Sequence, residues 1–340
     1  MRGVIDIPPE LEPVSEVIAD ALTQVRARFD AQLDCPLLPV ADLVTHVERY
    51  RGKMLRPVLV MLSGMAVSPA IPYSERITSD HVTLAAVCEM VHLATLVHDD
   101  VLDEADVRRG ETTINSLYGN EAAVILGDYL IAAAYHLCST LQDQRASLEI
   151  GRVSMDMCAG ELVQLSNRDN LSLDRTTYVE IIERKTASLI AAACKLGARH
   201  SDADEHQQHS LHEFGRAIGV AFQIQDDLLD LTGDQASVGK NLGKDLEKGK
   251  LTLPVIIHLA SATSSLRERS LDLLERASRG DRDAASDLGV ILDSSGAIDA
   301  ARHEAEQWVD RARTSLVALR DDLPRTYLAL LADAVISRRF

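Results

Sequence analysis

The sequence is poor in aromatic side chains, with one Trp, seven Tyr and four Phe among 340 residues. Sheet cores draw on aromatic and β-branched residues, so this scarcity argues against a β-sandwich. Ala and Leu dominate instead, which suits close-packed helices. Basic residues are also short: 35 Lys and Arg stand against 52 Asp and Glu, for a net charge of −17. A nucleic-acid partner demands a basic face and is excluded on that ground. An anionic membrane surface is disfavoured for the same reason. An acidic chain can still hold an anionic substrate, through local cations or bound metal.

Cysteine is sparse as well. Cys35, Cys88, Cys138, Cys158 and Cys194 are spread along the chain with no C-x-x-C. They read as free buried thiols in a reducing compartment. The N-terminal MRGVIDIPPELEPV has no basic region followed by an apolar run, so no signal peptide is expected. No stretch approaches the roughly 20 apolar residues of a spanning helix. The expectation is a soluble cytoplasmic protein.

What the chain does have is helical periodicity. After an irregular start over 1–10, apolar spacing predicts helices over Leu11–Asp34 and Ala41–Tyr50, then one through Met65. Ser79-Asp80 is read as the cap of a long helix reaching Val101 or Leu102. Further helices are expected over Ala122–Leu141, Ser147–Leu165, Arg175–Leu196 and Glu205–Leu231, with several more from Leu253 to Arg338. Glu104–Thr113 reads as a loop, and so does the Gly-rich Thr232–Lys250, whose length suits a functional lid. No strand run and no linker stand out. The expected fold is all-α, one domain over 1–340.

Two stretches carry the chemistry. VHLATLVHDDVLDEADVRRG (91–110) ends an apolar helix in Asp99, Asp100 and Asp103, followed by Arg108 and Arg109. FQIQDDLLD (222–230) repeats the design with Asp226, Asp227 and Asp230. Carboxylates three and four apart share a helix face and repel one another. A divalent cation relieves that repulsion, and an all-oxygen set completed by water and phosphate describes Mg²⁺ rather than zinc. One such cluster is as easily a solvated helix end; two call for a metal-held polyanion. Lys53 and Arg56, three apart in GKMLRP, and the Arg108-Arg109 pair offer local anion sites. His92, seven residues before Asp99, is a candidate donor to a second phosphate, and His98 is read as structural.

On these motifs the chain resembles a trans-isoprenyl diphosphate synthase of the polyprenyl synthase family. The matching blocks are GKMLRP (52–57), EMVHLATLVHDDVLDEADVRRG (89–110), GDYL (127–130), GELVQL (160–165), KTASL (185–189), FQIQDDLLDLTGD (222–234) and GKDLEKGKLTLP (243–254). They come in family order and span most of the chain. The resemblance implies a helical bundle around a deep central cavity, dimeric, with Mg²⁺ as cofactor. It implies that Asp99 and Asp103 ligate two Mg²⁺ ions and Asp226 a third, supported by Asp100, Asp227 and Asp230. Arg108, Lys185, Lys240 and Lys250 would hold the allylic diphosphate. Lys53, Arg56, His92 and Arg109 would hold isopentenyl diphosphate. Thr186 and Gln223, with Lys185, would lie at the reacting carbons. The product would be released with transient membrane association.

The same resemblance bears on product length. The growing tail would pass residues one and two turns before Asp99, each turn being about 5.4 Å deep. Farnesyl-type members carry a bulky aromatic four or five positions before that Asp. Here those positions hold Thr95 and Ala94, with Val91 below. A long polyprenyl product is therefore expected, with geranylgeranyl as the alternative. A terpene cyclase would carry Asn, Ser or Thr and Glu in the second motif, not DDLLD, and needs no isopentenyl site. A non-catalytic subunit of a prenyltransferase, or a helical scaffold, would not keep both clusters.

Overall fold

Apolar spacing becomes helix along nearly the whole chain. The computed structural model describes residues 7–50, 52–69, 72–232 and 243–337. In order, the helices are α1 Glu12–Leu33, α2 Leu38–Val47, α3 Leu55–Val67, α4 Ser79–Leu102, α5 Ile114–Tyr118, α6 Asn120–Cys138, α7 Gln144–Ser166, α8 Arg175–Ile182, α9 Ser188–Arg199 and α10 Glu205–Thr232. Shorter helices follow, ending with Leu323–Ser337. The all-α expectation holds, with one departure among the described residues. The segment read as the 104–113 loop contains a two-stranded antiparallel ribbon, β1 Val107–Arg108 and β2 Glu111–Thr112. Its two central residues, Arg109 (φ 54°) and Gly110 (φ 83°), are left-handed, as a tight hairpin turn requires.

The chain divides into two compact units. The first comprises Met1–Ser154, Leu189–Gly215 and Leu316–Ala329. Its centre is α4, packed by α1, α3 and α6. Leu84, Val87, Cys88, Val91 and Leu93 are all buried there. The cap of α4 is Thr78, not Ser79-Asp80: the Thr78 hydroxyl and the His81 ring close a capping box. His81 Nδ1 accepts the Thr78 N–H at 3.1 Å, and Nε2 lies 3.0 Å from the Gly197 carbonyl. Burial pulls the His81 pKa down to about 4, against the favourable Gly197 contact. Gly197 itself lets α9 close on α3, since a Cβ there would strike the Val60 carbonyl.

The second unit comprises Met155–Ser188, Arg216–Ser315 and Leu330–Phe340. The single helix expected over Arg175–Leu196 is interrupted: between α8 and α9 the backbone takes one π-helical turn, Glu183–Ala187. The Ser188 N–H reaches back five residues to the Glu183 carbonyl. Such turns cluster at functional sites, and this one carries Lys185 and Thr186. Tyr178, Ile181, Ile182, Ala187, Leu228 and Trp308 are buried in this unit.

Two other expectations are corrected. Cys158 is exposed on the solvent face of α7, whereas Cys88, Cys138 and Cys194 are buried as expected. By length and composition, α4 and α6 could each cross a membrane. The apolar stretch of α4 is 78% buried within the protein and that of α6 44%, so α4 reads as a core helix.

Candidate active site

The first cluster is positioned by α4. His92, Thr95, Leu96 and Asp99 are partly exposed, while Leu93, Ala94, Val97 and Asp100 are buried. Asp103 caps the helix one turn beyond Asp99, and its N–H donates to the Asp99 carbonyl at 2.8 Å. Asp99 and Asp103 therefore share the open face, as their spacing predicts. Asp100 turns inward and is 1% exposed. Its Oδ1 accepts from Arg108 Nε at 2.7 Å. Burial raises the Asp100 pKa, and Arg108 opposes the rise. Asp100 Oδ2 is buried with no hydrogen-bond partner among the described residues.

Three cations of the first unit, Arg56, Arg109 and Arg108, lie close enough to His92 on α4 to act on its charge. The ribbon turn carries Arg109, whose guanidinium donates to the Tyr50 carbonyl. The Tyr50 hydroxyl accepts the Ile114 N–H at 2.9 Å, which ties the ribbon's far end to the same residue. Burial, and next Asp100, push the Tyr50 pKa up to about 12. Burial lowers the Arg56 pKa, offset by the buried Glu89. His92 is held neutral, well below the usual histidine range, first by burial and then by Arg56, Arg109 and Arg108. As a neutral ring it has one N–H to offer a phosphate. Lys53 is exposed beside this group in sequence. His98 contacts the Val124 carbonyl at 3.1 Å and Asp128 at 3.6 Å, the structural role expected of it.

The second cluster lies in the second unit, on α10. Asp226 is exposed. Asp227 is 6% exposed and accepts from the Tyr178 hydroxyl at 2.6 Å and from Gln223 Nε2 at 2.9 Å. Burial, and next Asp245, push its pKa well up, against those two donors. Asp230 anchors the segment after residue 242: its carbonyl accepts the Gly243 N–H at 2.9 Å, and its Oδ2 the Asp245 N–H at 3.1 Å. Lys185 pairs with Glu161 and donates to Gln164 Oε1 at 3.1 Å, both from the GELVQL block. Thr186 Oγ1 donates to Gln223 Oε1 at 2.8 Å. The Lys250 N–H donates to the Asp245 carbonyl at 2.9 Å. Lys240 and the rest of residues 233–242 of the expected lid lie outside the described residues.

Sequence reading missed Tyr50, Glu89, Glu161, Tyr178 and Asp245. Glu89 and Glu161 stand inside the motif blocks and were legible as charges set among apolar neighbours. The two tyrosines look like ordinary core residues until their hydroxyl partners are seen. Of the length-gate candidates, Ala94 and Val91 are fully buried. Thr95 is on the open face and returns its hydroxyl to the His92 carbonyl at 2.8 Å. A groove of about 330 Å³ in the second unit, lined by Arg175, Glu304 and Trp308 among others, holds none of the predicted site residues.

The metal expectation can be tested against these donors. Among the described residues no group of three or more His, Cys, Asp or Glu is arranged to hold an ion. Mg²⁺ usually takes only one or two carboxylates and fills its octahedron with water and substrate phosphate. Asp99 with Asp103 is such a pair, and exposed Asp226 is such a single donor. Buried, arginine-paired Asp100 is not. The residues present fit the ion.

Residues 39–288 match the family model described as polyprenyl synthetase. The chain is 34% identical over 307 residues to the heptaprenyl diphosphate synthase component 2 of Bacillus subtilis, covering 90% of this chain and 84% of that one. It is 32% identical over 329 residues to the octaprenyl diphosphate synthase of Escherichia coli, covering 96% and 99%. Its structure is similar to a polyprenyl synthase from Caulobacter crescentus solved with calcium and isoprenyl diphosphate, at a TM-score of 0.87 and 30% identity, covering 97% and 98%. The chain belongs to the polyprenyl synthetase family, with its all-α isoprenoid synthase fold, and is a trans-prenyltransferase.

Proposed function

We propose that the chain condenses isopentenyl diphosphate with an allylic diphosphate, farnesyl or geranylgeranyl, to give a long trans-polyprenyl diphosphate. The observation that carries this reading is the division of labour in each Asp-Asp-x-x-Asp. In both motifs the second Asp is buried and bonded to the protein, while Asp99, Asp103 and Asp226 remain at the surface. That leaves outward carboxylates where a metal-bound diphosphate would sit. The calcium and isoprenyl diphosphate of the Caulobacter relative support a divalent cation and this substrate class.

In this reading Asp99, Asp103 and Asp226 hold Mg²⁺, three ions in all, with Asp100, Asp227 and Asp230 in support. Bound Mg²⁺ supplies charge neutralisation for the leaving diphosphate. Arg108, Lys185, Lys240 and Lys250 bind the allylic diphosphate, and Lys53, Arg56, His92 and Arg109 that of isopentenyl diphosphate. The allylic C–O bond breaks and its electron pair leaves with diphosphate. The isopentenyl double bond, held close by its own site, attacks the cation. A proton is then lost to the departed diphosphate. Thr186 and Gln223 face the reacting carbons with oxygen dipoles.

The heptaprenyl and octaprenyl relatives support a long product, as do the small Ala94 and Thr95. Geranylgeranyl diphosphate synthesis is the alternative. The chain acts as one catalytic domain, cytoplasmic, as a homodimer that touches membranes transiently on product release. Exposed Leu148, Met155 and Leu162, seven residues apart along α7, suit a helix-to-helix interface. The test is to incubate the purified chain with farnesyl diphosphate, excess isopentenyl diphosphate and Mg²⁺, and to size the products. Chains longer than geranylgeranyl are expected. A stop at geranylgeranyl selects the alternative. Turnover only after a second protein is added would point to a two-component enzyme, like the one the Bacillus relative's name describes.

A further inference from the structure

We infer that Tyr178 and Asp227 are positioning residues that fix which way the Gln223 amide faces, and through it aim the Thr186 hydroxyl oxygen. The inference rests on the proposed place of Thr186 and Gln223 beside the allylic carbons. The four side chains form one hydrogen-bonded series within the second unit. Tyr178 Oη occupies Asp227 Oδ2 at 2.6 Å, and Gln223 Nε2 occupies Oδ1 at 2.9 Å. The amide presents its NH₂ to Asp227 Oδ1, which accepts it. The Gln223 carbonyl then faces the other way, 2.8 Å from Thr186 Oγ1.

The last link decides the chemistry. Thr186 has one hydroxyl hydrogen, and Gln223 Oε1 takes it. Both Oγ1 lone pairs are left turned away from Gln223. That is the end of the dipole that stabilises a developing cation. With the amide reversed, the NH₂ would donate to Thr186 and swing the hydroxyl hydrogen outward, the end that repels a cation. Tyr178 is 4% exposed and Asp227 6%, so water does not compete for the Asp227 end of the series. The π-helical turn sets Thr186 at its far end.

The experiment is a double-mutant cycle on the full chain, with farnesyl diphosphate, isopentenyl diphosphate and Mg²⁺. Tyr178→Phe is expected to lower kcat on the order of 10- to 100-fold. KM for both substrates and the half-saturating Mg²⁺ concentration should stay within about twofold, since no binding group is touched. In a Thr186→Val background the same change should have no further effect, because the hydroxyl it aims is gone. If Tyr178→Phe does not fold, Asp227→Asn replaces it. Its NH₂ turns the Gln223 carbonyl toward itself, and the same loss of kcat is expected, again with no further effect in the Thr186→Val background. A folded Tyr178→Phe or Asp227→Asn with wild-type kcat overturns the positioning role, as does a loss that simply multiplies with that of Thr186→Val. Wild-type turnover by Thr186→Val alone instead removes the reading of Thr186 on which the inference stands.

Discussion

Arg108 Nε donates to Asp100 Oδ1 at 2.7 Å, and the carboxylate it holds is 1% exposed. The middle residue of the first aspartate cluster thus serves its own arginine, while its neighbour Asp99 faces outward. Two adjacent aspartates with the same side chain therefore have opposite duties, and substitution should separate them.

Asp100→Ala leaves the Arg108 guanidinium without its partner. The arginine is partly exposed, at 26%, so water recovers some of the loss. The expected cost in stability is about 2 kcal/mol. Asp99→Ala should cost under about 1 kcal/mol yet lower turnover about 100-fold or more. Urea unfolding and steady-state rates on both variants check this; equal stability losses would contradict it.

His81 makes stability depend on pH. Its folded pKa is depressed to about 4 from an ordinary 6.5. Between those values the unfolded chain takes up a proton that the folded chain does not. Stability from this residue is therefore complete above about pH 6.5 and falls as pH drops toward 4, by about 3 kcal/mol in all. Urea midpoints at pH 7 and pH 4.5 should move further apart in the wild type than in His81→Gln.

Two helical glycines should respond in opposite directions to the same substitution. Gly197→Ala drives a methyl into the Val60 carbonyl, a backbone atom that cannot turn aside, so a loss of about 3 kcal/mol is expected. At Gly151 the added methyl meets only the Tyr135 hydroxyl, at 4.0 Å. Gly151→Ala should then gain about 1 kcal/mol from helix propensity. Thermal midpoints of the two variants report both signs.

The two length-gate positions should also behave differently. Ala94 is fully buried, so Ala94→Tyr overpacks the protein and should cost about 1–3 kcal/mol while shortening the product. Thr95 is on the open face with His92 and Asp99. Thr95→Phe should shorten the product at little cost in stability. Product sizing with melting curves checks both; unchanged product lengths in both variants would mean the tail does not pass α4.

Much of this was legible in the chain itself. The run from Val82 to Val101 is apolar on nearly every face, so a central helix ending at the aspartates followed directly. The order of the motif blocks pointed to the family. The hidden features fall into two kinds. Competing signals hid the α4 cap, because Thr78, Ser79 and Asp80 are all good capping residues and only the reach of His81 chooses Thr78. Likewise VRRGET has no alternation to mark a ribbon. Hydrogen-bond direction hid the rest, since no spacing rule says that Asp227 faces Tyr178 or that Asp230 caps the chain beyond residue 242. The π-helical turn was invisible because Ile181, Ile182, Ala187 and Leu189 satisfy a regular helical period about as well.

That turn has a genetic consequence. With the Ser188 N–H bonded five residues back, the segment holds one residue more than a regular helix needs. Losing any one codon of 183–187 would restore the ordinary four-residue ladder with α8 and α9 still joined end to end. The bulge that sets Lys185 and Thr186 would be erased, along with the side chain the lost codon supplied. Such a chain would still read as a good helix former at every position. It is the kind of in-frame lesion that passes a screen for expression and is caught only by one for turnover.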